Sequence, residues 1–243
     1  MIPISAAVGQ IIAQSAPVII LDTCNLLDLF RRDSTRQQSR VPAEEIRVAS
    51  QLLQLAAGRP TTVHLVVPEL VPGEFADHAD RIEREFDKWL QFHDENQHWL
   101  EKAAPWVGIS LPPPLAVHPF ELHAAFRRLA EELLAHAIVP DRDQPSLNRA
   151  VARLIAKRRP SHRKEIKDSI KLEQSLELCS QLRKPGFVGH VAFVSSNTND
   201  YAAVSTTSQL HDDLQAEFSG VSLEYFPSLR AAIGSLRAIG ELP

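Results

Sequence analysis

Short, wholly apolar runs alternate with longer stretches of helical period along this chain, and that alternation sets the fold class. Residues 17–22 start at a proline and continue Val18-Ile19-Ile20-Leu21, the pattern of a strand buried on both faces. Residues 62–67 repeat the pattern and stop at Pro68, residues 190–195 repeat it again, and Val221 to Phe226 supplies another strand. Asn25 to Arg32 reads as a short helix leaving the first strand. Ala43 to Ala57 reads as an amphipathic one, with Ile46, Leu52, Leu53 and Leu55 on its apolar side and Gly58 and Pro60 ending it. A long helix is predicted from Glu74 to about Glu101, and another over Phe120 to Ala137. Ser146 is placed to cap a basic helix over 147–159, which Pro160 breaks, and Ser161 to cap one running to about Leu182. Pro227 opens a last helix that ends near Gly240. Arg31 to Pro42 is polar, and Ala104 to Pro119 holds five prolines and one glycine, so both read as loops.

Strands alternating with helices call for a parallel sheet covered on both faces. The stretch from 74 to 160 carries no strand pattern; residues 75–160 are therefore read as a helical insertion inside one domain spanning 1–243. At 243 residues, 44% hydrophobic and 23% charged, the chain has the size and composition of one sizeable globular α/β domain. No apolar stretch is long enough to span a bilayer, and Met1 to Ala16 lacks the build of a signal peptide, so the expectation is a cytoplasmic protein with no membrane association. Cys24 and Cys179 are the only cysteines; they make neither a disulfide framework nor a zinc spacing, and Cys24 reads better as a small packed residue than as a nucleophile.

The net charge of −4 argues against a simple nucleic-acid coat, but the charge is uneven. Arg149 to Lys171 contains nine Lys/Arg against Glu165 and Asp168 alone. Such a run is either a solvated helix face or a phosphate-tracking stripe; in the second case Arg153, Lys157, Arg158, Arg163, Lys164 and Lys167 would contact nucleic acid.

Acids sit where the strands end: Asp22 after the first, Glu74 after the second and Asp200 after the third, with Asp168 inside the basic run. Ligands of open parallel sheets bind beyond the carboxyl ends of the strands. Carboxylates gathered there suit a hard divalent cation such as magnesium or manganese, and positive charge beside them suits phosphodiester chemistry. Each acid also has a structural alternative. Asp22 would cap the next helix through the amides of Cys24 and Asn25, Glu74 would sit well near a helix start, Asp168 would pair with Lys164 or Lys171, and Asp200 would cap a helix beginning at Tyr201.

Four segments in order, Leu21-Asp22-Thr23-Cys24-Asn25, Val67-Pro68-Glu69-Leu70-Val71-Pro72-Gly73-Glu74, Lys167-Asp168-Ser169-Ile170-Lys171-Leu172-Glu173 and Phe193-Val194-Ser195-Ser196-Asn197-Thr198-Asn199-Asp200-Tyr201, resemble a PIN-like domain, closest to a larger group with a long helical middle. The resemblance implies a three-layer α/β/α sandwich with a central parallel sheet in the order 3-2-1-4-5. It also implies metal-dependent endoribonuclease activity, with Mg or Mn held by Asp22, Glu74, Asp168 and Asp200. Asn197 would orient the site. Glu173 matches an acid of the larger group, although five residues from Asp168 place it about 140° around a helix. Thr23 is expected to bond the loop backbone, and Asn25 to brace Asp22 or the adjoining turn. A phosphatase of the haloacid-dehalogenase kind would need an acid where Cys24 stands. The leading expectation is hydrolysis of single-stranded or structured RNA. Beside it stand a non-catalytic RNA-binding or scaffold module of the same fold, and the toxin component of a toxin–antitoxin pair with an antitoxin partner; a homodimer is compatible with each.

Overall fold

The computed structural model describes residues 1–33, 38–39, 43–112, 121–160, 166–203 and 208–243. In chain order the elements are α1 (Ile4–Gln14), β1 (Val18–Leu21), α2 (Thr23–Asp28), β2 (Arg32–Asp33), β3 (Gln38–Ser39), α3 (Ala43–Ala57), β4 (His64–Val66) and α4 (Leu70–Ala103). After a 3₁₀ turn at Ala104–Val107 follow α5 (Leu122–His136), α6 (Gln144–Ile155), α7 (Ile166–Arg183), β5 (Val191–Val194), α8 (Thr198–Tyr201), α9 (Asp212–Gly220), β6 (Glu224–Phe226) and α10 (Leu229–Ala238). β2 and β3 form a small antiparallel hairpin.

The central sheet is parallel, in the order β4-β1-β5-β6. Outside β4 the chain touches the sheet once more: the Ile138 N–H donates to the Leu65 carbonyl at 2.8 Å and the Val67 N–H to the Ile138 carbonyl at 3.0 Å, making a single parallel bridge. Successive side chains of a strand point to opposite faces, so uninterrupted apolar runs feed two cores at once. Ile19, Leu21, Leu65, Ala192 and Val194 face one, built with Val48 and Leu52 of α3, Phe75 of α4, Leu133 of α5 and Ile233 of α10. Val18, Ile20, Val66 and Phe193 face the other, with Ile11 of α1, Leu178 and Leu182 of α7, and Leu214 and Phe218 of α9. The α/β class with helices on both faces is as the hydrophobic pattern required. Among the described residues no helix is long and apolar enough to cross a membrane.

Several boundaries differ from expectation for local reasons. α4 starts at Leu70, not Glu74; Pro72 falls in its first turn, where a missing N–H breaks no helical bond. Its 34 residues make a rod about 50 Å long. Val71, Phe75, Ala79, Ile82, Phe86 and Leu90 bury one stripe of it, and no α4 residue is buried beyond Leu90. Arg127 of α5 clamps that rod by pairing with Asp80 and Glu83. The cap of α6 is Asp143, which accepts from the Ser146 N–H at 3.0 Å, so Ser146 is the capped residue and not the cap. β6 is shorter than the apolar run because Ser222 takes a left-handed φ of 51° to end α9. α1 and α9 were not anticipated. The expected cap at Ser161 lies outside the described residues.

Candidate functional site

β1 and β5 run side by side and end together, and the Asp22 N–H donates to the Val194 carbonyl at 3.0 Å, so the backbone fixes Asp22 at the carboxyl edge of the sheet. Asp22 caps α2, though through Thr23 and not Cys24 or Asn25: its Oδ1 accepts from the Thr23 N–H at 2.7 Å. Its Oδ2 accepts from the Ser195 hydroxyl, also at 2.7 Å. The side chain is only 2% exposed, and its further partners are Lys171 Nζ, 2.7 Å from Oδ1, and Cys24 Sγ, 3.4 Å from Oδ2.

Lys171 is the centre of the site. Its ammonium lies 2.7 Å from Asp22, 3.1 Å from Glu74 Oε2 and 2.8 Å from Asp168 Oδ1, and the residue is 4% exposed. Three donors thus meet three carboxylates carried by β1's end, α4 and α7. Thr23 Oγ1 donates to Glu74 Oε2 at 2.6 Å, joining α2 to α4; this hydroxyl was expected to bond the loop backbone and instead holds a second acid. Asp200, on α8, accepts from Asn197 Nδ2 at 2.6 Å, and the Asn197 N–H donates to Ser195 Oγ at 3.3 Å. Ser195 therefore links Asp22 to the loop that carries Asp200.

The electrostatics follow this geometry. Burial pushes Asp22 up, but the Lys171 charge and the hydrogen bonds from Lys171, Ser195 and Thr23 outweigh it, and the carboxyl is held below the usual range. Asp168 goes the other way: burial raises it, Lys171 offsets this only in part, and the negative charges of Asp22 and Asp200 add to the rise. Burial would lower Lys171, yet the charges of Asp22, Asp168 and Glu74 raise it well above the ordinary lysine value. Cys24 Sγ lies 3.4 Å from Asp22 Oδ2, and burial with the nearby charges of Asp22 and Asp28 pushes its thiol up to about 12. A thiol so protonated is not a nucleophile at neutral pH.

The acids open into a cleft of about 600 Å³ lined by Asp22, Glu74, His78, Asp168, Lys171 and Asn197, among others. Asp22, Glu74, Asp168, Thr23 and Asn197 thus line one cleft; Asp200 does not line it, and is tied to it through Asn197 and through its charge on Asp168. Asn25 is buried at the start of α2 and braces the turn there: its backbone N–H donates to the Asp22 carbonyl at 3.2 Å, while its amide oxygen is 3.8 Å from Cys24 Sγ. Glu173 belongs elsewhere. Its carboxylate is gripped by Arg149 at 2.9 Å and by Arg153, within a second cleft of about 520 Å³ between α6 and α7.

That network also corrects the basic stripe. Arg153 is 5% exposed and bound to Glu173 and Glu217, so it is a buried structural cation and not a phosphate contact. Arg158 pairs with Glu217. Lys157 and Lys167 do face solvent, while Arg163 and Lys164 lie outside the described residues. The expected pairing of Asp168 with Lys171 is present at 2.8 Å, but the reach of Lys171 to Asp22 and Glu74 and the role of Ser195 were not anticipated. The signal for Lys171 was its place one turn after Asp168.

The donors on offer to a metal are carboxylate oxygens, which suit magnesium or manganese and not softer ions. Among the described residues no group of three or more His, Cys, Asp or Glu side chains is set to grip one ion together. Comparison of the chain with family models, curated proteins and solved structures gave no match.

Proposed function

We propose that this chain is a metal-dependent endoribonuclease of the PIN-like kind. The observation that carries the reading is the convergence of Asp22, Glu74 and Asp168 on one buried point at the carboxyl edge of a parallel sheet, with Asp200 on the adjoining loop. Three acids from separate elements, crowded into a cleft open to solvent, are hard to explain by stability alone. Buried like charges cost several kcal/mol each unless compensated, and here the one Lys171 ammonium stands against three carboxylates. The sheet adds support: if the Ile138 bridge stands for a vestigial third strand, the order becomes 3-2-1-4-5.

The residues fit a magnesium or manganese ion that keeps several waters and takes one or two of these carboxylates directly, the others reaching it through water. Bound there, the ion would polarise a phosphodiester and lower the pKa of an attacking water. Asp168 and Glu74, whose side chains are 15% and 12% exposed, are better placed as direct ligands than Asp22, whose oxygens are held by Thr23, Lys171 and Ser195. Ser195 and Thr23 hold Asp22 and Glu74 in orientation, and Asn197 does the same for Asp200. RNA would enter over the cleft, with exposed Lys157 and Lys167 available to its phosphates.

The test is cleavage of a mixed single-stranded and hairpin RNA by the purified chain. Cleavage should need added Mn²⁺ or Mg²⁺, stop with EDTA and disappear in Asp22→Asn. Cleavage unchanged by EDTA or by that substitution would end the reading. One observation favours a second reading, a non-catalytic RNA-binding or scaffold module: the Lys171 ammonium already neutralises part of the acid cluster. That module would bind RNA and show no heat of Mn²⁺ binding at millimolar metal.

A further inference from the structure

We infer that the Lys171 ammonium permanently fills one of the cation positions of this site, so that the site takes a single divalent ion beside it and not a pair. The inference rests on the nuclease reading above and adds the number of ions and the role of the lysine. Two-ion phosphodiester sites clamp the attacking and leaving oxygens between metals about 4 Å apart, bridged by shared carboxylates. Here the point shared by Asp22, Glu74 and Asp168 is already taken by a positive charge of the chain's own, with contacts of 2.7, 3.1 and 2.8 Å.

The lysine is built into that place. It is 4% exposed, it rises from the same helix as Asp168 one turn away, and Ser175 Oγ donates to its carbonyl at 2.8 Å. One turn further on, α7 is anchored by Gln174, whose amide donates to the Pro140 carbonyl at 2.6 Å and accepts from the Glu69 N–H at 2.9 Å. Charge arithmetic agrees. Asp22, Glu74, Asp168 and Asp200 offer four negative charges, Lys171 supplies one positive charge, and a single divalent ion leaves a remainder near −1. Two divalent ions together with the ammonium would make the pocket net positive before any phosphate arrived.

The experiment is a Mn²⁺ titration of the purified full chain by calorimetry, with electron paramagnetic resonance on the same samples. The wild-type chain should bind one Mn²⁺ and show no spin-coupled pair. Lys171→Met should gain a second binding event. The measurement on wild-type protein needs no variant: Lys171 should stay protected from trinitrobenzenesulfonate when Mg²⁺ saturates the site, because the ion binds beside the ammonium and does not displace it. Two ions in the wild-type chain, an unchanged single ion in a folded Lys171→Met, or labelling of Lys171 on adding Mg²⁺ would each overturn the inference and leave the nuclease reading standing. No Mn²⁺ binding by either protein would instead remove the nuclease reading, and the inference with it.

Discussion

Ser195 shows how much of this site depends on single hydrogen bonds. Its hydroxyl orients Asp22, and its Oγ also receives the Asn197 N–H. Removing a group that orients a metal ligand typically costs ten- to a hundredfold in metal affinity or activity. Ser195→Ala should therefore lower Mn²⁺-dependent cleavage by about that factor with secondary structure intact, as read by initial rates beside circular dichroism. A second single-residue effect lies away from the site. His64 is buried on β4, its ring bonded to the Ile11 backbone, and its Nε2 meets no hydrogen-bond partner among the described residues. Burial pushes its pKa below the ordinary value of about 6.5. The unfolded chain then takes up the proton first as pH falls, so the His64 contribution to stability is intact above about pH 6.5 and declines below it. Between pH 7 and about 5 the wild-type chain should lose more unfolding free energy than His64→Leu in denaturant titrations; parallel curves would refute this. Asp22, Glu74 and Asp168 were legible in the sequence because each follows or opens a recognisable element. The pairing of Lys171 with Asp168 was legible too, but its reach to Asp22 and Glu74 was not, because that depends on α4 and β1 lying beside α7, and a residue counted along one helix carries no sign of that contact.

At the level of elements, the basic run separates into two groups. Arg149, Arg153 and Arg158 tie α6 to α7 and α9 through Glu173, Glu177 and Glu217. Removing one partner of a buried ion pair leaves the other charge uncompensated, at about 3–5 kcal/mol. Arg149 still holds Glu173 and Arg158 still holds Glu217, so Arg153→Met should destabilise the chain by less than that in urea unfolding, while RNA affinity measured below the transition stays unchanged. A loss of RNA affinity without loss of stability would restore Arg153 to the nucleic-acid face. Charge counting along the sequence could not separate the two groups, since the glutamates that claim these arginines lie as far off as Glu217. The strands were easier: β1 and β5 are short runs of large apolar residues, and local pattern alone marks them. Phe193 on β5 packs against Tyr201 and Phe218 with ring centroids 5.1 and 6.0 Å away. Phe193→Ala should cost about 3–5 kcal/mol by the same measurement. α9 escaped notice because only Leu214 and Phe218 of its nine residues are buried, too few to set a period.

Across the whole molecule, the parallel order β4-β1-β5-β6 brings chemistry from distant parts of the chain to one edge. β1 contributes Asp22, the chain leaving β4 enters α4 and contributes Glu74, α7 contributes Asp168 and Lys171 just before β5, and the loop beyond β5 contributes Asp200. Because the strands are parallel, their carboxyl ends share one edge of the sheet, so the site is a consequence of the topology. The far half of α4 serves no part of it: past Leu90 the rod leaves the core and ends in exposed Trp99 and Leu100. The proposed nuclease chemistry depends on these acids capturing a divalent ion. The most direct measurement is a crystal soaked in MnCl₂ with diffraction recorded at the manganese edge. The expected result is one anomalous peak in the cleft, within about 2.0–2.3 Å of a carboxylate oxygen of Asp22, Asp168, Asp200 or Glu74, with Lys171 still in place. A cleft with no peak at saturating manganese would contradict it.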